Sequence, residues 1–470
     1  MTTSSHTPPS PSAPHATQAP HAPHASGAAI PAASPPAIAI RPRDREALLQ
    51  SLRAGVVPRI GQHLIQVGRA RELETLVGDI GRVADGGSAF RLVTGAYGAG
   101  KTFFLNLVRA VALEKKLVVA NADLNPDRRL HASGGQARSF YAELMRNVAT
   151  RAKPEGGALG GVVEKFIGTV RAEAQTSGIP SERVLHDKLA QLTELVNGYD
   201  FAAVIAAYCR GFESGNEQLT ADAVRWLRGE FATRTDARGA LGVRTIVDDA
   251  SVYDQLKLFA RFVRLAGYSG FFVCIDELVN LYKLSNTQAR TANYEQILRI
   301  LNDSLQGTAV GLGFVLGGTP EFLFDPRRGL YSYPALQSRL GENQFATGDL
   351  VDYSGPVIRL ASLTVEDFYL LLKKVRHVYA GGDANVYPIP DEAIIAFMAH
   401  CATKLGEQYF RTPRTTITAF IDLLAVLQQN PTADWKALLG GVSLAPDRGG
   451  ELDQALDADA GADELVSFKL

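Results

Sequence analysis

Two short segments carry residue types that handle a triphosphate. Gly95-Ala96-Tyr97-Gly98-Ala99-Gly100-Lys101-Thr102 fits the pattern G-x-x-x-x-G-K-[ST] in full. Glycines there let backbone N–H groups converge on phosphate oxygens, where side chains would block the approach. Lys101 is placed to reach the β- and γ-phosphates, and the Thr102 hydroxyl to ligate Mg²⁺. The second segment, Phe271-Phe272-Val273-Cys274-Ile275-Asp276-Glu277, runs five apolar residues straight into two acids. A central parallel strand that opens at its carboxyl end reads this way. Asp276 would hold Mg²⁺, and Glu277 would polarise the attacking water. The chemistry expected of these residues is binding of ATP with Mg²⁺ and its hydrolysis to ADP and phosphate.

Elements that could position these residues are visible on either side. A helical pattern runs from Pro42 to Ala54, and a turn followed by an amphipathic helix covers 65–83, with Leu73, Leu76, Val77 and Ile80 at helical spacing. Strands are expected at 90–94, 116–124, 270–277 and 310–317, with a fifth at 356–360. A helix should start at Lys101, directly after the glycine loop. Helical patterns fill 126–266 and return after 360, up to about Leu427. Strands alternating with helices argue for an α/β fold with a parallel, helix-covered sheet.

The bulk numbers narrow the class. The chain has 470 residues, 46% of them hydrophobic and 21% charged, an ordinary soluble composition. No stretch reaches the ~20 apolar residues of a membrane helix, so no membrane is expected. Cys209, Cys274 and Cys401 show no metal spacing, which fits a cytoplasmic protein without disulfides or structural zinc. Residues 1–40 hold nine prolines, four histidines and no Lys, Arg, Asp or Glu, a composition expected to stay disordered and unsuited to targeting. Net charge is −1, yet residues 446–470 carry seven acids against Arg448 and Lys469. The remainder is only mildly basic, too little by itself to announce nucleic-acid binding.

With the segment VGRARELETL ahead of the glycine loop and Asp-Glu ending the third strand, the chain resembles AAA+ P-loop ATPases of the Orc/Cdc6-like kind. AVRWLRGEF (223–231), GYSGFFVCIDELVNL (267–281) and GGTPEFLFDPRRGLYSYPALQSRL (317–340) make it more specifically similar to the BrxD-like ATP-binding proteins of BREX-type phage-defence systems. The resemblance, over about 60–430, implies a P-loop core over 41–360 and a C-terminal helical lid over 361–430. Lys101 and Asp276 lie 175 positions apart, which stretches the family pattern, and the excess reads as a helical insertion at about 126–266; composition sets the acidic tail at 431–470.

Carried over by position, the resemblance assigns further roles. Val67 and Gly68 fall where backbone and apolar atoms line the adenine pocket. Thr319 takes the sensor 1 position, where Asn is the commoner residue. Arg339 in ALQSRL is the candidate arginine finger, with Arg327 and Arg328 as rivals. Arg414 in RTPRTTITAFIDLL (411–424) would reach over the phosphates from the lid, with Arg411 as the second choice. The implied function couples ATP hydrolysis to a conformational or assembly step, as a homo-oligomer, with DNA, or with a helicase or methyltransferase partner. A slow-hydrolysing switch or signalling scaffold that senses a protein partner is the alternative. The insertion, with Trp226 and the charges Arg225, Arg228, Glu230, Arg234 and Arg238, is either a partner surface or a helical subdomain with a solvated face.

Deleting residues 1–40 together with 446–470 is expected to leave melting temperature and ATP affinity nearly unchanged, because neither segment has the apolar content to join a core. Differential scanning calorimetry and ATP titration of the truncated chain check this. A drop of several degrees would place one of the two segments inside the folded domain.

Overall fold

The structure is a computed structural model and describes residues 40–346 and 350–441. The tail at 1–40, up to residue 39, and the acidic stretch 446–470 lie outside the described residues. Five strands form one sheet: β1 (Ser88–Thr94), β2 (Val118–Asp123), β3 (Phe271–Asp276), β4 (Leu312–Gly318) and β5 (Val357–Arg359). Their order is β2-β3-β4-β1-β5, and every pairing is parallel. β4 therefore lies between the strand that leads into the glycine loop and the strand that ends in Asp276.

Four helices precede or follow the first strand: α1 (Pro42–Arg53), α2 (Gln62–Ile65), α3 (Ala70–Ala84) and, after β1, α4 (Lys101–Glu114). Seven helices stand between β2 and β3, α5 to α11: Gln136–Arg146, Leu159–Ser177, Ser181–Thr193, Gly198–Ser214, Glu217–Leu227, Arg234–Leu241 and Val252–Leu265. After β3 come α12 (Val279–Tyr282) and α13 (Thr287–Leu305); after β4 come α14 (Pro320–Phe324) and α15 (Pro334–Leu340). The chain closes with α16 (Val365–Tyr379), α17 (Asp391–Leu405), α18 (Gln408–Arg411), α19 (Arg414–Gln429) and α20 (Trp435–Gly441).

Strand side chains alternate between two cores, as the period of two demands. Phe271, Val273 and Ile275 of β3 and Phe314 and Leu316 of β4 enter a core shared with the seven inserted helices and α13. Phe272, Cys274 and Val315 face the other way, onto α3 and α4. Both faces are covered, which is why β3 reads as an unbroken apolar run. Burial pushes the Cys274 thiol up to about 12, so it packs as a small apolar group. The one charge in β1, Arg91, points into the second core, where Nε meets Asp79 Oδ2 of α3 at 2.5 Å and Nη2 meets Oδ1 at 3.1 Å. This forked pair welds α3 to the strand that delivers the loop.

Trp226 is 1% exposed, packs edge-on against Phe201 and donates from Nε1 to the Thr245 carbonyl at 2.8 Å. It is a core residue. The inserted charges pair locally, Arg146 with Glu230 at 3.0 Å and Arg234 with Asp248 at 3.7 Å, while Arg225 lies over the Phe231 ring.

A third core belongs to the C-terminal helices, and α1 joins it: Leu48 and Leu52 pack with Phe368, Leu372, Phe397, Phe420 and Leu424. Leu439 of α20 and the flanking Trp435 also pack there, so folded structure continues past residue 430, where the sequence reading began the acidic tail. Among the described residues, no helix is long and apolar enough to cross a membrane, and no group of three His, Cys, Asp or Glu is arranged to hold a metal ion.

Candidate functional site

The glycine loop leaves the carboxyl end of β1 and turns into α4. Gly98 and Gly100 have φ of +78° and +84°, a backbone that side-chain-bearing residues rarely adopt. Gly98 is also hemmed in, since a Cβ there would meet Thr412 Cγ2 at 2.8 Å and the Arg411 carbonyl at 3.0 Å. Lys101 opens α4 and folds its ammonium back into the loop, donating to the carbonyls of Gly95 at 2.8 Å and Ala96 at 3.1 Å. Burial holds the Lys101 pKa below its ordinary value, against the charges of Asp276, Glu277 and Glu321. A cation is thus held, partly desolvated, beside a ring of backbone N–H groups at a helix N-terminus, the arrangement that takes a phosphate.

The carboxylate strand meets the loop through one hydrogen bond. Thr102 Oγ1 donates to Asp276 Oδ2 at 2.7 Å. The other carboxylate oxygen accepts the Glu277 amide at 2.9 Å. Asp276 is buried, at 7% exposure, whereas Glu277 is exposed and lines the cavity with φ of +60°. Backbone strain of about 1 kcal/mol at a non-glycine residue persists where its surroundings over-determine it. A hydroxyl and a carboxylate already in contact are hard oxygen donors of the kind that suit Mg²⁺.

Gly317, on the neighbouring strand, makes this possible. A Cβ at 317 would lie 2.4 Å from Asp276 Oδ1 and 2.9 Å from Leu105 Cδ1. The carboxylate therefore occupies the space a side chain would take. Sequence reasoning did not single out Gly317; the signal was there in the Gly-Gly pair that ends β4.

A cavity of about 270 Å³ runs from the loop to an apolar wall. The wall comes from Val56, Pro58, Ile65 and Val67 on one side and Leu371 and Ile417 on the other. Of the two residues assigned to the base, Val67 lines this cavity, and Gly68 lines the adjoining groove. Arg414, the first residue of α19, also lines the cavity, with its Cγ and Cδ packed on Gly55. Arg411 instead pairs with Glu407 at 2.6 Å. Thr319 follows β4 directly, and its hydroxyl caps α14 by accepting from the Phe322 amide at 3.3 Å. That bond leaves the hydroxyl proton and one lone pair available.

The three arginines beyond β4 sit apart from the cavity lining. Arg339 is exposed on α15 and donates to the Ala335 carbonyl of its own helix at 2.9 Å. Arg328 is bound inward, to the carbonyls of Tyr282 and Leu284 and over the Tyr282 ring. Arg327 is exposed. Arg69 was missed. It lies in the left-handed region (φ +61°), lines the cavity, and donates to the carbonyls of Ala99 in the loop and Ala361 after β5. Its place in VGRARELETL, immediately after Gly68, was the available signal.

Gly317→Ala is expected to displace the Asp276 carboxylate and to press on Leu105 of the second core. Titration with a fluorescent ATP analogue checks it. Affinity in EDTA should stay within about threefold of the unaltered protein, and the gain on adding Mg²⁺ should fall at least tenfold. Equal Mg²⁺ dependence of the two proteins would remove Gly317 from the site.

Residues 40–443 match the family described as BREX system ATP-binding protein BrxC/D. No curated protein and no solved structure matches the chain.

Proposed function

The chain belongs to the BREX system ATP-binding protein family BrxC/D, and from that membership and the geometry of the loop we propose that it is an AAA+-like ATPase that binds ATP with Mg²⁺ and hydrolyses it. The observation that carries this reading is the contact between Thr102 and Asp276 beside Lys101. It brings the two separated motifs into one opening at the carboxyl ends of parallel strands that flank β4, where ligands of such sheets bind. The strand inserted between them, the helical lid against the loop, and Arg414 at the cavity rim support the AAA+-like assignment.

In this reading, the loop amides and Lys101 cradle the β- and γ-phosphates, and the apolar wall that includes Val67 takes the base, with Gly68 beside it. Thr102 and Asp276 hold Mg²⁺, which when bound neutralises phosphate charge as it develops. Glu277, exposed at the cavity and fixed in direction by its backbone, orients the attacking water and accepts its proton. Thr319 contacts the water or the γ-phosphate with the capacity its cap leaves free. Arg414 reaches the phosphates from the lid. Arg339, exposed and outside its own cavity, serves the site of a second copy in a homo-oligomer. The domains follow as a P-loop core with its helical insertion and a lid that α1 completes. Hydrolysis drives a conformational or assembly step of phage defence in the cytoplasm, with DNA or with a helicase or methyltransferase of the same locus.

Lys101→Ala should abolish ATP binding, because it removes the cation that lies within the loop. Glu277→Gln should keep binding and lose at least a hundredfold in turnover, since the electrostatics of positioning survive and the base does not. Isothermal titration and phosphate release measure the two effects separately; hydrolysis by the Glu277→Gln protein at the unaltered rate would show the base to be another residue.

Arg339→Ala protein is expected to bind ATP normally and hydrolyse it slowly. Mixing it with Glu277→Gln protein should recover part of the activity, because some interfaces then join an intact Glu277 to an intact Arg339. A chain that remains monomeric with ATP by light scattering and still turns over at full rate would sink the shared site.

A further inference from the structure

Beside the nucleotide cavity, the lid carries two open grooves of about 560 and 590 Å³ that share Lys373 and Tyr387 and so form one track. Basic side chains repeat along it. Lys373, Lys374 and His377 lie within one turn of α16, Arg376 lies beneath, and His63 faces them from α2. Arg376 is 3% exposed, a charge fixed in place by bonds to the Ile389 carbonyl at 2.9 Å and Asp391 at 2.5 Å, with its guanidinium 4.0 Å from the Tyr387 ring.

The lining of the track holds a single acid, and it is already engaged. Asp391 is the one carboxylate in its lining, and it is shared between Lys373 at 2.8 Å and Arg376. Asp367, beside Gly68, is occupied by the cap of α16, accepting from Thr364 N at 3.3 Å. The lining thus presents three permanent cations and two histidines against one carboxylate, on an open surface.

We propose that this track, bounded by Lys373, Lys374, His377, Tyr387 and His63, binds the phosphodiester backbone of a nucleic acid. The inference deepens the DNA part of the reading above and rests on it. A polymer suits the site better than a small anion, because the cations are spaced along an open track with no enclosing wall. Contacts to backbone phosphates position a chain without reading its sequence, which matches a lining of Lys and His with no amide side chain besides Gln66. The track also borders the nucleotide cavity. Gln66 and Val67 line both, and Lys374 Nζ donates to the Gln66 carbonyl. A phosphate that draws Lys374 away releases that carbonyl, so nucleic acid and nucleotide each sense the other through one short segment.

The test uses the full chain, with fluorescence anisotropy of a labelled duplex of about 25 base pairs and its single strand at several salt concentrations. Lys374→Glu should weaken binding about tenfold and lower the slope of log affinity against log salt by about one. Lys374→Arg should retain both. Arg183→Glu on α7, an exposed residue in the insertion with the same change of net charge, should leave both unaltered. Thermal melting of each variant separates loss of fold from loss of contact.

Equal weakening by Arg183→Glu, or unchanged binding by Lys374→Glu, would overturn the track while leaving DNA binding elsewhere on the protein intact. Failure of the unaltered chain to bind either probe at 50 mM salt, or binding of polyglutamate in their place, would overturn both the track and the DNA part of the reading. The ATP assignment would still stand or fall on Lys101→Ala alone.

Discussion

A single carboxylate, held where a neighbouring strand has no side chain, organises this protein. Parallel pairing of β3 with β4 sets Ile275 beside Leu316 and brings Asp276 against Gly317. The buried carboxylate then has two fixed tasks. One oxygen accepts from Thr102 and fixes the first turn of α4; the other accepts the amide of Glu277 and holds that residue in a left-handed backbone. The same strand end is stitched on both sides, because Leu278 N donates to the Gly317 carbonyl and Leu124 N to the Asp276 carbonyl. A buried carboxylate without partners would be costly. Here its hydrogen bonds are the connections between the two halves of the site.

The second constraint is that the cavity is a junction of three segments and not a hollow within one. The segment that follows α1 supplies apolar wall, the glycine loop supplies the amides, and the lid supplies Thr412 and Arg414. Gly98 admits the close approach of Thr412 to the loop, and Arg69 bridges the loop to the start of the lid through the carbonyls of Ala99 and Ala361. Leu48 and Leu52 of α1 pack in the core of the C-terminal helices, so the wall and those helices share one set of contacts. Whatever occupies the cavity bears on both at once.

The long excursion between β2 and β3 does not loosen this frame. Its helices pack Phe166, Phe201 and Trp226 into the core beneath Phe271 and Phe314, so the insertion covers one face of the sheet. The opposite face is covered by α3 and α4, and α3 is tied down by the Arg91–Asp79 fork. Truncating either partner of such a buried pair leaves an uncompensated charge, typically ~3–5 kcal/mol.

Much of this was legible in the residues. The five strands fall within two residues of where apolar runs and turn signals put them, and α4 begins at Lys101 as the loop pattern required. Local chemistry is enough for that: glycines at positive φ, an apolar strand ending in acids, and helical periodicity are properties of short windows. The resemblance of 411–424 to a lid helix singled out Arg414, which lines the cavity. What the residues left open were matters of pairing. Strand order put β4 between the two motifs, and only then did Gly317 become the residue that admits Asp276. The insertion that holds Trp226 read as a partner surface or as a helical subdomain with a solvated face, and helix packing buries Trp226 in its core. The track on α16 drew no notice, because Lys373, Lys374 and His377 form a groove only when α2 and the turn at Tyr387 come beside them. The sequence determined which groups exist and what local backbone each adopts; the tertiary structure decided which of them meet, because register and packing act between residues hundreds of positions apart.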